Sequence, residues 1–84
     1  MENDMRIEIG NVLKKIKKEI EINDYHASLR KEYGLDSLDL QLFFLNIEEK
    51  YNVKIENEET TQLDSIEQLT AWLSLNDQRR NIHE

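Results

Sequence analysis

Eighty-four residues carrying a net charge of −7 leave room for one small domain, which buries only roughly 60–65% of its unfolded surface. The chain has no cysteine, no proline and only two glycines, which excludes a disulfide framework and a thiolate metal site and favours helices. No apolar run approaches the roughly 18 residues of a membrane span, and no signal-peptide pattern opens the chain, so a cytoplasmic protein without a membrane role is expected.

Met5, Ile9, Val12, Leu13, Ile16 and Ile20 recur at steps of three and four, which predicts a first helix with one apolar face. Asn3 or Asp4 can cap its start. Lys14, Lys15, Lys17 and Lys18 crowd its C-terminal half, where cations suit the helix dipole. Apolar residues interrupt them at helical spacing, so they read as a solvated face rather than a binding patch. Residues 21–35 lack periodicity and read as a loop, with Leu29 and Tyr33 as its anchors into the core.

The next segment is Gly34-Leu35-Asp36-Ser37-Leu38. It sets a serine hydroxyl at the N-terminus of a second helix that runs to Tyr51. Leu40, Phe43, Phe44, Ile47 and Tyr51 form a core stripe on that helix. Leu38, Leu42 and Leu45 lie off the stripe, with Gln41 beside them. One buried side suffices for a small bundle, so this second set is expected to be partly exposed. Rimmed by Asp39, Glu48 and Glu49, it has the make-up of a partner site. The alternative is a central helix buried on both sides. Asn52-Val53-Lys54-Ile55 is a connector with two apolar pins, and residues 56–62 form a short helical turn or a loop. A last helix begins near Asp64-Ser65, capped by Ser65 with Gln68 or by Asp64 with Glu67. Ile66, Leu69 and Leu73 make its buried face, with Trp72 at the edge. Residues 76–84 are polar and expected to fray. The division is a domain over 1–76 and a polar tail over 77–84.

Charge is uneven along the chain. Residues 1–31 hold six acids and seven bases, residues 32–77 eleven acids and two bases, and residues 78–84 one acid and two bases. The acidic middle repels nucleic acid and anionic lipid and attracts basic protein surfaces. The simpler alternative is that the acids serve solubility.

Enzymatic readings find little support. Ser37 would need a base in hydrogen-bond reach to act as a nucleophile. The two histidines are His26, in the loop, and His83, in the tail. Two aspartates beside a serine make a poor triad. No glycine-rich phosphate loop is present. Glu56, Glu58 and Glu59 lack the alternating ligands and central glycine of a calcium loop. The expected inventory is no catalytic residue and no metal ligand. Leu63-Asp64-Ser65-Ile66 nearly repeats Leu35-Asp36-Ser37-Leu38, so the tetrapeptide alone says little. Ser37 is set apart by the preceding Gly34 and by the two-striped helix after it.

Taken together, Gly34-Leu35-Asp36-Ser37-Leu38, the helix ending Ile47-Glu48-Glu49-Lys50-Tyr51, and the later Ile55-Glu56-Asn57-Glu58-Glu59 and Leu63-Asp64-Ser65-Ile66-Glu67-Gln68-Leu69 resemble the acyl carrier protein family over residues 5–75. The resemblance implies an all-α, four-helix bundle of three main helices and one short one. It implies that Ser37 carries 4′-phosphopantetheine, covalently attached from coenzyme A, with Asp36 and Leu38 as flanking recognition positions. It also implies that Glu48 and Glu49 face partners. The expected partners are a phosphopantetheinyl transferase, a cargo-loading ligase or acyltransferase, and downstream synthases. Their basic surfaces would meet Asp39, Glu48 and Glu49 around an apolar centre of Leu42 and Leu45. Glu48→Lys with Glu49→Lys is then expected to slow association with little loss of fold.

Three departures stand out: Gln41-Leu42 in place of an aliphatic residue followed by Glu, Glu56 in place of a proline, and the bulky Phe43-Phe44 pair. They favour a dedicated carrier over the general fatty-acid carrier. The function expected is a free-standing, monomeric carrier of acyl or aminoacyl intermediates as thioesters. One alternative is an aminoacyl or peptidyl carrier of a nonribosomal-peptide-type pathway. Another, from a different class, is an unmodified helical interaction module. The aromatic core predicts a short or polar cargo that stays outside the bundle.

Overall fold

A computed structural model describes the backbone of residues 2–83 and the side chains of residues 5–76. Four helices follow in order: α1 Glu2–Ile16, α2 Ser37–Tyr51, α3 Asn57–Thr60 and α4 Ile66–His83. Among the described residues there is no strand. The all-α, three-plus-one arrangement expected from periodicity is the one found.

Each long helix buries the stripe its spacing dictates. Ile9, Val12 and Leu13 of α1 meet Phe43, Phe44 and Ile47 of α2 and Ile66, Leu69 and Leu73 of α4 in one core. α1 packs against both α2 and α4. α3 buries no residue of its own. It is held by Ile55 before it and Leu63 after it, both buried. The Phe43 and Phe44 rings are tilted against each other at 5.4 Å between centroids, an arrangement aromatic pairs prefer. Phe43 is fully buried and Phe44 nearly so. Leu40 and Tyr51, placed on the core stripe from sequence, are only half-buried at its margin.

α1 ends at Ile16 rather than at Ile20. Lys17 N–H still donates to Leu13 O, at 2.9 Å, and Ile20 N–H donates to Lys17 O, at 3.2 Å, so the chain turns out of the helix there. Ile20 and Ile22 nonetheless pack on the core from the loop, so apolar periodicity outruns the helix. At the other end α1 begins at Glu2. Asn3 and Asp4 therefore lie inside its first turn rather than capping it, and their side chains fall outside the described residues.

The long loop is docked on the start of α4. Leu29, fully buried as expected, donates its N–H to Asp64 O at 2.8 Å, and Glu67 N–H donates to Tyr25 O at 2.9 Å. Tyr33 is half-buried, its hydroxyl donating to Asp24 O at 2.9 Å. Arg6 grips Glu67 through two N–H donors, at 2.6 and 2.9 Å, tying α1 to α4.

Of the two caps open for α4, Ser65 with Gln68 is the one formed. Gln68 N–H donates to Ser65 Oγ at 3.0 Å, and Gln68 Oε1 accepts the Asp64 N–H at 2.7 Å. Asp64 instead accepts from the Ser28 hydroxyl and from Arg30 Nη1, the latter at 2.8 Å. Trp72 sits at the edge, as expected, with Nε1–H on Glu59 Oε2 at 3.1 Å.

Burial works against the charge of Asp64, but the hydrogen bonds from Ser28 and Arg30 outweigh it and hold its pKa below 3.8. A carboxyl lowered on folding stabilises the fold above its ordinary range, and that contribution is lost as pH falls through the lowered value. Asp64→Asn should therefore cost about 1 kcal/mol at neutral pH, a modest figure because the pair is partly solvated. The gap to the parent should narrow below about pH 4. Urea midpoints across pH test this; a gap that stays constant into acid would contradict it.

Candidate functional site

The chain reaches α2 through two backbone devices. Gly34 adopts φ +69°, with nothing within 4 Å of where a Cβ would stand. Glycine is therefore required by conformation and not by space. Leu35 then turns inward, buried, with its N–H on Leu29 O at 3.0 Å. Asp36 is the N-cap, in extended conformation. Its Oδ1 accepts the Asp39 N–H at 2.8 Å, and Asp39 Oδ2 accepts the Asp36 N–H at 3.3 Å. This reciprocal box fixes where the helix starts. Ser37 is consequently its first residue.

Ser37 is exposed, and among the described residues no hydrogen bond engages its hydroxyl. No histidine stands in its box; His26 is exposed in the loop, and the side chain of His83 lies outside the described residues. The N–H groups of Ser37 and Leu38 belong to the first turn, which has no intrahelical acceptor. Such groups suit an anion. An accessible hydroxyl beside free first-turn amides fits a phosphodiester formed on Ser37.

The other singled-out residues gather on the same helix. Leu38, Leu42 and Leu45 are 64%, 44% and 52% exposed, so α2 has one buried and one solvent-facing apolar stripe. Gln41 and Glu49 are exposed beside them. Asp39 is half-buried, committed to the cap, and 3.7 Å from Lys17 Nζ.

Glu48 departs from expectation. It is half-buried, and its Oε2 accepts the Ile55 N–H at 2.7 Å. Its backbone oxygen also takes the N–H of Asn52, the left-handed C-cap of α2, and that of Val53 at 3.1 Å. Glu48 thus holds the connector to α3, and charge reversal there does not leave the fold untouched. Glu48→Lys should cost about 1–2 kcal/mol, because it strands the Ile55 N–H. Glu49→Lys should stay within about 0.5 kcal/mol. Thermal melts of the two single variants check this; equal melting temperatures would mean the Ile55 contact carries no weight.

An open groove of about 620 Å³ runs beside Ser37 between α2 and α3. Leu38, Leu42, Phe44, Leu45 and Ile55 give it an apolar floor, with Arg30 and Lys54 among its borders. Sequence reading missed Arg30 and Lys54, because both sit in irregular segments where periodicity carries no signal. Glu56 is the N-cap of α3, and Glu59 Oε1 accepts its N–H at 3.1 Å. A second hollow, about 680 Å³, lies within the loop, is lined in part by Glu21, Asp24 and Glu32, and does not include Ser37. Among the described residues no group of acids and histidines could hold a metal ion, and no helix is long and apolar enough to cross a membrane.

No curated protein matches the chain. A family model does: the one described as the phosphopantetheine attachment site matches residues 8–73. That span takes in most of α1, the capping box, both stripes of α2, α3, and α4 as far as Leu73. The chain therefore belongs to the phosphopantetheine-attachment family of acyl-carrier-like proteins, helical carriers that bear a covalently attached 4′-phosphopantetheine.

Proposed function

We propose that this protein carries acyl or aminoacyl intermediates of a biosynthetic pathway on an arm attached to Ser37, and that it does so without catalysing a reaction itself. The observation that carries the reading is the exposed, unengaged Ser37 hydroxyl at the first position of α2, in a chain of this family. The arm supplies a flexible tether ending in a thiol, on which cargo is held as a thioester. The chain's own residues do the rest. Asp36 and Asp39 fix the helix start and so hold Ser37 out to solvent. The Ser37 oxygen attacks the pyrophosphate of coenzyme A, forming the phosphodiester and releasing the adenosine bisphosphate portion. Among the described residues no histidine stands near Ser37, and the Asp36 and Asp39 carboxylates are engaged in the capping box. The transferase therefore takes the proton, which leaves Ser37 inert until a partner arrives.

In this reading Leu42 and Leu45 are the apolar centre of the partner surface, with Leu38, Gln41, Asp39 and Glu49 around it. Asp36 and Leu38 flank the modified serine. Glu48 contributes its charge while also holding α3. The partners are a phosphopantetheinyl transferase, a loading ligase or acyltransferase, and downstream synthases with basic faces. The carrier domain is 1–76; the backbone of α4 runs past that boundary to His83, and the side chains of 77–84 lie outside the described residues. The cargo is short or polar, because Phe43 and Phe44 fill the interior and a small core tolerates little added volume.

Incubation with coenzyme A and a broad-specificity phosphopantetheinyl transferase tests the reading. One arm should be added, on the peptide that contains Ser37. An unchanged mass would overturn it.

A further inference from the structure

A phosphodiester on Ser37 adds an anion beside the Asp36 and Asp39 carboxylates of the capping box. Like charges at this range repel, and the helix dipole offsets only part of that repulsion. Three cations border the groove or the capping box. Lys54 borders the groove from the connector that Ile55 pins back to Glu48, roughly 16 Å along α2 from Ser37 at 1.5 Å per residue. Arg30 also borders the groove, yet its guanidinium is engaged by Asp64 Oδ1 at 2.8 Å and by Thr60 O at 3.0 Å. Lys17 is the third. Its ammonium stands 3.7 Å from Asp39 Oδ2, the same oxygen that accepts the Asp36 N–H. That distance makes an ion pair but not a hydrogen bond. Among the described residues the three N–H donors of Lys17 are therefore uncommitted. The turn closing α1 holds its backbone at both N–H and C=O, so the side chain is presented from an ordered segment.

We propose that Lys17 is a positioning residue for the arm: its ammonium pairs with the phosphodiester on Ser37 and ties the root of the arm to the end of α1. This rests on Ser37 being the attachment residue. The pairing relieves the repulsion at the capping box and restricts the directions in which the arm leaves α2.

The experiment compares melting temperatures of apo and holo forms for the parent, Lys17→Gln, Lys17→Arg and Lys18→Gln. Intact mass and peptide mapping first establish the arm on Ser37 in every holo sample. The holo-minus-apo difference should be about 2–4 °C lower in Lys17→Gln than in the parent at low salt. It should fade near 1 M salt, where screening acts over about 3 Å. Lys17→Arg and Lys18→Gln should match the parent. The phosphorus NMR shift of the arm should move in Lys17→Gln alone. A lysine that served only Asp39 would shift apo and holo melts alike and cancel in the difference. Equal differences in parent and Lys17→Gln, with the arm in place, overturn this inference alone. Absence of the arm from Ser37 overturns the attachment reading and this inference with it.

Discussion

Ser37→Ala should abolish addition of the arm outright, while Ser65→Ala should accept it at the parental rate. Both serines follow an aspartate and stand at a helix start, so the pair separates position from local sequence. Ser37 is exposed with its hydroxyl unengaged; Ser65 is 6% exposed and its Oγ accepts the Gln68 N–H. Only the first can reach another enzyme's active site. Their stabilities should invert the order. Ser37 is not the cap, since Asp36 fills that role, so Ser37→Ala should change stability by less than about 0.5 kcal/mol. Ser65→Ala removes a working cap and should cost about 1 kcal/mol. Intact mass after transferase treatment, with a thermal melt of each variant, reads both effects. An arm on Ser37→Ala, or none on Ser65→Ala, would sink the assignment.

The second large effect separates the two stripes of α2. Phe43→Ala should destabilise the fold by about 3–5 kcal/mol, because it opens a cavity where the core is fully buried. Small domains hold roughly 5–15 kcal/mol, so this one change removes much of the total. Leu42→Ala, at 44% exposure, should cost under about 1 kcal/mol yet weaken transferase binding more than any change on the buried stripe that leaves the fold intact. The same packing bears on cargo. Phe43 and Phe44 fill the interior, and the apolar groove between α2 and α3 is open to solvent. A long acyl chain on the arm therefore finds no enclosed shelter, and the melting temperature of that form should match that of a short-acyl form. A marked rise with the long chain would show that the helices part to admit it. An unfolded Leu42→Ala variant would mean that the outer stripe is core after all.

Much of this was legible in the residues. The 3.6-residue spacing from Ile9 to Leu13, Phe43 to Ile47 and Ile66 to Leu73 specified three buried faces, while their combination into a four-helix bundle was implied by the family resemblance. Gly34 marked the break before α2, because left-handed backbone selects glycine; that Asp36 is the N-cap emerged only with its reciprocal bonds to Asp39. What stayed hidden depends on contacts distant in sequence. Asp64 looked like a local cap, but Ser28 and Arg30 claim its carboxylate. Glu48 looked like a free surface acid, but the chain returning through Ile55 brings an N–H to it. Lys17 looked like one of four solvated lysines, and only the crossing of α1 and α2 sets it against Asp39. Ile20 kept the apolar rhythm of α1 after the helix had ended, because a loop residue can cover the same core.

Tandem mass spectrometry of the protein isolated from the cell that makes it tests the central claim most directly. The account predicts one phosphopantetheine arm per chain, borne by the peptide containing Ser37, with any retained cargo released by mild thiol treatment. A chain recovered without the arm, or with it on any residue other than Ser37, would contradict it.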